Sequence, residues 1–295
     1  MMNPTVGKEA EWPVEPPKTS DPKRVLVVGG GPAGLEAARL AGEVGHQVAL
    51  WEAGEALGGQ LRAGKRGAGR SDLGLAVDYF ERQLTRLGVD VRLSHQATPE
   101  RVIDHGADVV ILALGSRPRR FEVDGYGVVP SATEVLDGPL DGYTGRRGIV
   151  IDLVGSWASA SVAETLARAG AAVTIVSPGD VLLWDLNMYS KATAVDRLTG
   201  LGVAVRMYRR ALRYDAGALV IGDVLSPLEE RLEGVDWLVA ITANEPSDLL
   251  VRQIDGKVRQ VLTVGDMRAP RSMLEAIYEG HAAARAITSP PSRFP

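Results

Sequence analysis

The sequence contains no cysteine among its 295 residues, and this absence excludes several classes of function. Without thiols the chain forms no disulfide and carries no redox-active Cys-x-x-Cys pair. It also has no cysteine with which to ligate an iron–sulfur cluster. Histidine is scarce, with four residues, and none has the spacing of a metal-binding motif. We therefore expect no metal site in this chain.

Long apolar runs and clustered positive charge are also lacking. No apolar stretch approaches the ~20 residues that a membrane helix requires. The net charge of −4 and the pI of about 5.7 argue against a nucleic-acid or anionic-membrane partner. The most basic stretch, Arg62–Arg70, carries four positive charges among glycines and is interpreted as a solvated loop. Because the N-terminus is polar and proline-rich rather than a secretory signal, we expect a cytoplasmic protein.

Apolar strands alternate with helical patterns, which predicts an α/β protein. Residues 1–22 hold five prolines and are interpreted as an extended arm. Val25–Val28 and Gln47–Trp51 are continuous apolar runs, typical of parallel strands buried on both faces. Ala33–Val44, between them, has helical periodicity, so these segments form one βαβ unit. Further predicted elements are helices at Asp72–Leu87 and Tyr189–Thr199 and strands at Val89–Leu93, Asp108–Ala113, Val203–Met207, Ala218–Ile221 and Trp237–Ile241.

A second βαβ unit begins at Gly148, with a strand at Ile149–Leu153, a helix at Ala158–Ala169 and a strand at Ala172–Val176. Two such units predict two Rossmann-like dinucleotide-binding domains. We expect the strand Gln260–Val264 and the helix Arg271–Ile287 to return to the first domain, so that the second is inserted in the first. The predicted boundaries are 1–22 for the arm, 23–120 with 258–295 for the first domain, and 121–257 for the second.

The strongest motif is a Gly-x-Gly-x-x-Gly turn that follows the first strand and opens the first helix. Gly29 allows the tight turn, Gly31 lets a pyrophosphate approach, and Gly34 lets the helix pack close to the sheet. Glu52 ends the second strand, where its carboxylate would accept hydrogen bonds from adenosine ribose hydroxyls. Strand, helix and acid together predict an adenine dinucleotide site, most simply for FAD.

Three shorter motifs support this site but are weaker alone. Leu57–Leu61, taken alone, is a loop, and Val109–Gly115, taken alone, is the end of a strand. At Val264–Asp266 a strand is followed by an Asp, which either binds a ribityl hydroxyl or caps a helix. The candidate cofactor-binding residues are Gly29, Gly31, Pro32, Ala33, Gly34, Glu52, Ala53, Gly59, Gln60, Leu61, Ala113, Leu114, Gly115, Gly265, Asp266 and Met273.

The second unit has a degenerate fingerprint, in which only Gly155 remains of the three glycines. Gly155, Ser156 and Trp157 are the candidates for a second nucleotide site. Trp157 falls where the second glycine would stand, and its bulk would obstruct a dinucleotide unless it swings away. NAD(P)H binding is therefore doubtful, and no catalytic acid or base can be named from the sequence.

Taken together, the motifs resemble the flavin disulfide-reductase-like module. More narrowly, they resemble the C-terminal FAD/NAD(P)-binding (ADP-binding) half of the trimethylamine dehydrogenase / 2,4-dienoyl-CoA reductase family, which is old yellow enzyme-like. The resemblance covers nearly the whole chain. It is carried by Asn3–Glu9, Gly58–Leu61, Ser161–Glu164 and Gly265–Arg271 with Glu279–His281. It implies two Rossmann-like domains of flavin disulfide-reductase type.

The resemblance also implies a partner. In that family an N-terminal TIM barrel carries FMN and a four-cysteine segment carries a 4Fe–4S cluster, so we expect both on a separate chain. The arm 1–22 is then a candidate interface, the alternatives being a disordered tail or a truncated chain. Some members hold FAD and NAD(P)H, whereas trimethylamine dehydrogenase holds ADP.

Three functions follow from the resemblance. The first is an FAD-containing electron-transfer subunit of a heteromeric FMN/4Fe–4S oxidoreductase that demethylates an amine or reduces an enoyl group. The second is a non-catalytic ADP-binding subunit of such a complex. The third is a stand-alone NAD(P)H-dependent flavoprotein reductase.

Overall fold

The computed structural model describes residues 3–13 and 15–287, and the chain divides into two compact units. The first unit contains the described residues up to Arg62, Leu73–Arg117, and those from Glu245 onward. The second unit contains Ala63–Asp72 and Pro118–Asn244. The parts of the predicted arm and first domain that fall at 1–2, 14 and 288–295 lie outside the described residues.

The first unit is built on a five-stranded parallel sheet. In the order in which they lie across it, the strands are Val261–Thr263, Val109–Leu112, Arg24–Val28, Gln47–Trp51 and Asp90–Arg92. The three central strands are almost wholly buried, which explains their continuous apolar sequence. The strand 261–263 pairs with 109–112, so the chain returns to the first sheet after the second unit.

Helices cover this sheet and close its core. They are Pro32–Val44, Leu73–Arg86, Pro99–His105, Leu249–Ile254 and Met273–Ala286, with a 3-10 turn at Gly265–Met267. The helices Pro32–Val44 and Met273–Ala286 approach closely, because a Cβ on Gly280 would lie 2.1 Å from the carbonyl oxygen of Ala33. Two parallel sheets flanked by helices, the second inserted in the first, confirm the predicted fold class.

Residues 4–12 of the N-terminal arm form a series of turns, rather than staying extended as the prolines of the arm suggest. The Trp12 ring stacks on Tyr278 with centroids 5.2 Å apart. Lys8 Nζ donates to the Tyr278 hydroxyl at 2.7 Å, and Arg285 donates to the Pro13 carbonyl at 3.1 Å. Residues 3–13 are therefore anchored on the last helix of the first unit.

A buried ionic cluster lies beneath this anchor. Glu36 is 2% exposed and accepts two hydrogen bonds from Arg39, at 2.7 and 2.8 Å. His281 Nδ1 lies 2.6 Å from Glu36, while His281 Nε2 accepts from Arg285 at 2.9 Å. Burial disfavours the carboxylate, but the hydrogen bonds from Arg39 and His281 outweigh it and hold the pKa of Glu36 below its usual value.

The second unit repeats the architecture on a four-stranded parallel sheet. Its strands, in spatial order, are Ala204–Arg206, Ala172–Val176, Arg147–Asp152 and Trp237–Ile241. Its helices are Ala132–Asp137, Trp157–Arg168 and Met188–Gly200, with a 3-10 turn at Asp141–Tyr143. The second unit also contains an antiparallel sheet, formed by Arg209–Asp215, Ala218–Asp223 and Glu229–Glu233. It further contains a hairpin, formed by Phe121–Val123 and Gly127–Val129.

Short elements lie where the chain passes from one unit to the other. They are the helical turn Leu61–Gly64 and the strands Ser116–Pro118 and Asn244–Pro246.

The segment 63–72 packs within the second unit, although the predicted boundaries place it in the first domain. Lys65 and Arg66 are exposed, as expected of a solvated loop. Arg70 is not: its guanidinium carbon lies 3.5 Å from the centroid of the Trp157 ring, and its Nη2 is buried without a hydrogen-bond partner. The interpretation of Arg62–Arg70 as a solvated loop is therefore wrong at Arg70, because the guanidinium face packs on an aromatic ring.

A candidate dinucleotide-binding cleft

Each of the three glycines in the first fingerprint is required for a different structural reason. Gly29 has a φ of +108°, and a Cβ there would lie 2.3 Å from the carbonyl oxygen of Ala113. A Cβ on Gly34 would lie 1.9 Å from the carbonyl oxygen of Gly29. Gly31 has an ordinary φ of −79°, and nothing lies within 4 Å of the place where its Cβ would be. Gly31 alone therefore keeps space free in front of the helix rather than satisfying a contact within the protein.

The helix that begins at Pro32 points its N-terminus into this space. Gly31 is the N-cap and offers no side chain to the first-turn N–H groups. Pro32 has no N–H of its own, and its fixed φ suits the first helical position. The unpaired N–H groups and the helix dipole together favour a phosphate group at this point.

Glu52 is held in a fixed orientation by the backbone around it. Its Oε2 accepts from the Gly30 N–H and its Oε1 accepts from the Gly54 N–H, both at 2.7 Å. The carboxylate is half-buried, and each oxygen can accept further hydrogen bonds. Glu52 is therefore placed to accept from the two hydroxyls of a ribose beside the phosphate position.

These residues lie in a cleft of about 1000 Å³ within the first unit. Most of the predicted cofactor-binding residues line it, namely Gly29, Gly31, Pro32, Ala33, Glu52, Ala53, Gly59, Gln60, Leu61, Ala113, Leu114, Gly115, Asp266 and Met273. Two do not. Gly34 and Gly265 instead permit close packing, since a Cβ on Gly265 would lie 2.8 Å from the Ala33 Cβ.

Asp266 ties together loops that are distant in sequence. Its Oδ2 accepts from the Ser116 hydroxyl at 2.7 Å and from the Gln60 amide at 3.2 Å. The Arg271 N–H approaches its Oδ1 at 3.3 Å. The carboxylate is thus positioned at the wall of the cleft beyond the phosphate position.

The last helix presents a second N-terminus to the cleft. Ser272 is its N-cap, and the Ser272 hydroxyl and Glu275 carboxylate form a reciprocal capping box. The hydrogen bond from the Ser272 hydroxyl to Glu275 lowers the pKa of that carboxyl. Arg271, Ser272, Met273 and Ala276 line the cleft, so its far end is favourable to negative charge.

Sequence reasoning missed two loops that line the cleft, His95–Pro99 and Pro246–Leu250, as well as Arg117. A local signal existed for the first loop, because Thr98 caps the helix that starts at Pro99 and accepts from the Arg101 N–H. The Trp51 ring packs edge-on against His95, with centroids 4.6 Å apart. These side chains form the wall next to Glu52.

The candidate second nucleotide site lies at the equivalent turn of the second unit. Ser156 is the N-cap of the helix Trp157–Arg168, and its hydroxyl accepts from the Ala158 N–H at 3.2 Å. Gly155 N–H donates to the buried carboxylate of Asp152 at 2.7 Å. Aligned on the helix start, Ser156 takes the place of Gly31 and Trp157 that of Pro32. The interpretation that put Trp157 at the second glycine is therefore corrected.

The described part of the chain shows neither a metal cluster nor a membrane-spanning helix. Within residues 3–13 and 15–287, no three His, Asp or Glu side chains are grouped so that they could hold a metal ion. No helix in those same ranges is long and apolar enough to cross a membrane.

Comparison with known proteins places these observations in a family. Residues 23–268 match the model of the pyridine nucleotide-disulphide oxidoreductase family. Cinnamate reductase of Clostridium sporogenes is 38% identical over 97% of this chain and 42% of its own length. A probable N-methylproline demethylase of Rhizobium meliloti is 37% identical over 94% of this chain and 45% of its own. The solved structure of histamine dehydrogenase from Rhizobium sp. 4-9 superposes with a TM-score of 0.88, at 28% identity, over 98% of this chain and 48% of its own.

The predicted resemblance to the trimethylamine dehydrogenase type of flavoenzyme is thereby confirmed. The chain spans less than half the length of the curated relatives described above.

Proposed function

We propose that this chain, which belongs to the pyridine nucleotide-disulphide oxidoreductase family of oxidoreductases, binds FAD in the cleft of the first unit. We further propose that it serves as the electron-transfer subunit of a heteromeric oxidoreductase. In this proposal a separate TIM-barrel subunit carries FMN and a 4Fe–4S cluster, and the complex demethylates an amine or reduces an enoyl group.

The observation that carries the FAD proposal is the space in front of Gly31. A Cβ would fill that space and meets no protein atom within 4 Å, whereas the neighbouring glycines are required by protein contacts. A pyrophosphate fits there against the first-turn N–H groups, and Glu52 lies where it can accept from the adenosine ribose. The residues present therefore fit an adenine dinucleotide.

The extent of the cleft favours FAD over ADP. Beyond the phosphate position it continues past Gln60 and Asp266 to the N-terminus of the last helix. Asp266 can accept from a ribityl hydroxyl, and the helix N-terminus favours negative charge on a flavin ring. When bound, the flavin supplies the redox chemistry, while the chain binds and orients it and tunes its surroundings.

The partner proposal is supported by the relatives and by the sequence. The curated relatives are more than twice as long as the part that this chain matches. With no cysteine among these 295 residues, a cysteine-ligated cluster has to be held outside them. We place that cluster and the FMN on a separate subunit of the complex.

An absorption spectrum of the purified protein tests the FAD proposal, followed by mass spectrometry of the ligand released by heat. A flavin spectrum with FAD in the supernatant is the expected result. A colourless protein that releases ADP would refute electron transfer by this chain and support a structural role instead. The matched control is Gly31→Val, which should release neither ligand.

Co-purification from the native source tests the partner. The expected result is a complex with a second polypeptide that contains FMN and iron. Flavin reduction by NADH in the isolated chain, with no such partner, would favour a stand-alone reductase.

A further inference from the structure

The two units match residue by residue around their phosphate turns. Gly30 and Gly155 each lie two residues before the first residue of their helix. Glu52 and Ser177 each directly follow the second strand of their unit. The loop after that strand folds back in both units, where Gly58 N–H donates to the Gly30 carbonyl and Asp185 N–H to the Gly155 carbonyl. The residues just before these donors, Leu57 and Trp184, are therefore equivalent.

In the first unit a carboxylate bridges the gap between two glycines. The Glu52 carboxylate accepts one hydrogen bond from the Gly30 N–H and one from the N–H of Gly54, the third residue after the strand. Leu57 contacts only the Gly30 side, where its Cδ2 would lie 2.6 Å from a Cβ on Gly30. The carboxylate stays in the lining of the cleft, where a ribose can reach it.

In the second unit an indole fills the same gap. A Cβ on Gly155 would lie 2.3 Å from Cδ2 of Trp184, and a Cβ on Gly179, which is also the third residue after its strand, would lie 2.5 Å from the same ring. One side chain therefore covers both glycines. Ser177, the equivalent of Glu52, is fully buried, and its hydroxyl donates to the Asp152 carbonyl at 2.8 Å instead of facing a ligand.

We propose that Trp184 is the specificity-determining residue that closes the second unit to nicotinamide dinucleotides. Its indole occupies the position at which the adenosine ribose of NADH or NADPH would meet the turn. Trp157 is not the obstruction, because it lies at the first helical position and is stacked against Arg70. This inference concerns the second unit alone and does not rest on the FAD proposal.

The consequence is a restriction on the electron donor. With Trp184 in place, the second unit has no open binding site for NAD(P)H. This consequence, unlike the closure itself, rests on the proposed electron transfer: electrons then enter or leave the chain through a reductant or oxidant bound elsewhere, rather than through a dinucleotide in the second unit.

Titration of NADH and NADPH by calorimetry tests the proposal, with the first unit kept saturated by its own ligand or by ADP. Wild-type protein should show no saturable binding up to about 5 mM. Trp184→Leu, which copies Leu57 of the first unit, should gain at least about tenfold in affinity. Trp157→Ala is the matched control and should behave as wild type.

Saturable binding by the wild type would overturn the closure. The assignment to Trp184 would be overturned if Trp184→Leu bound no better than wild type, or if Trp157→Ala gained as much.

A second measurement does not depend on the folding of the leucine variant. In wild-type protein labelled with 5-fluorotryptophan, the ¹⁹F resonance of Trp184, assigned with Trp184→Phe, should not move as NADH is added. A saturable shift would show that the indole yields to the dinucleotide and would overturn the proposal.

Discussion

Gly31 and Gly34 lie three residues apart, yet their substitution should have opposite consequences. A side chain at Gly31 enters open space, and the extended backbone there accepts a β-branched residue. A methyl group at Gly34 collides with the carbonyl oxygen of Gly29 at 1.9 Å. We therefore expect Gly31→Val to abolish dinucleotide binding without loss of stability, and Gly34→Ala to lower stability.

The structure sets the size of both effects. If the valine side chain of Gly31→Val denies a pyrophosphate two backbone hydrogen bonds, each about 1.5–3 kcal/mol for a charged group, the loss is about 3–6 kcal/mol. That loss raises the Kd by about 10²- to 10⁴-fold. Because the collision is with the backbone, overpacking at Gly34 should cost about 2–3 kcal/mol, and alanine's better helix propensity returns about 1 kcal/mol. A net loss of about 1–2 kcal/mol lowers the Tm by roughly 2–8 °C.

The assay is a titration of ADP and FAD into each ligand-free variant, together with calorimetric unfolding. Gly31→Val should change the free energy of unfolding by no more than about 0.5 kcal/mol, which is the effect of an ordinary surface substitution. Wild-type affinity in Gly31→Val would refute our placement of the phosphates. Wild-type stability in Gly34→Ala would refute the close contact between helix and turn.

Three further substitutions test other parts of the first unit. Glu52→Gln should bind ADP at least about tenfold more weakly and should no longer distinguish ADP from 2′-deoxy-ADP in competition titrations. If the variant still distinguished the two nucleotides, another group would contact the ribose. Glu36→Gln should lose about 3 kcal/mol of stability at pH 7 in urea unfolding. Because the folded pKa of Glu36 lies below its ordinary 4.5, the ionised group stabilises the fold above that pH, and the benefit is lost as the pH falls through the folded pKa. The variant should therefore lose less stability than wild type on acidification, and an unchanged pH dependence would show that Glu36 is not the group concerned. Trp12→Ala should release the arm from Tyr278, so that limited proteolysis cuts residues 3–13 faster. The control Tyr278→Phe keeps the aromatic ring and should have a smaller effect. Equal rates of cutting in wild type and Trp12→Ala would contradict the anchor.

The central parallel strands could be predicted from the sequence to within two residues, because strands buried on both faces are continuous apolar runs. Arg209–Asp215 and Glu229–Glu233 were missed for the opposite reason. Both are largely charged, and neither contains a continuous apolar run like those of the central parallel strands. They are strands because each pairs with the apolar strand Ala218–Asp223, and that pairing is not visible in either segment alone.

The candidate site divides in the same way. The turn at Gly29–Gly34 and the acid Glu52 follow local rules, so their spacing predicts them. The loops His95–Pro99 and Pro246–Leu250 line the cleft only because the sheet brings the carboxyl ends of its strands to one edge. Trp184 carries no local signal at all: its role depends on two glycines that lie 29 and 5 residues before it in the chain.

The hydrogen bonds of Asp266 have a consequence for the order of folding. The carboxylate joins Gln60 and Ser116 across sequence separations of 206 and 150 residues. The strand 261–263 likewise pairs with a partner about 150 residues earlier. Contacts between residues so far apart in sequence form slowly, because the intervening chain must first be closed into a loop. During synthesis the whole second unit is made before Asp266 emerges from the ribosome. The phosphate turn at Gly31 is thus among the earliest parts of the cleft to be translated, while the cleft itself is complete only after residues 264–276 have been made.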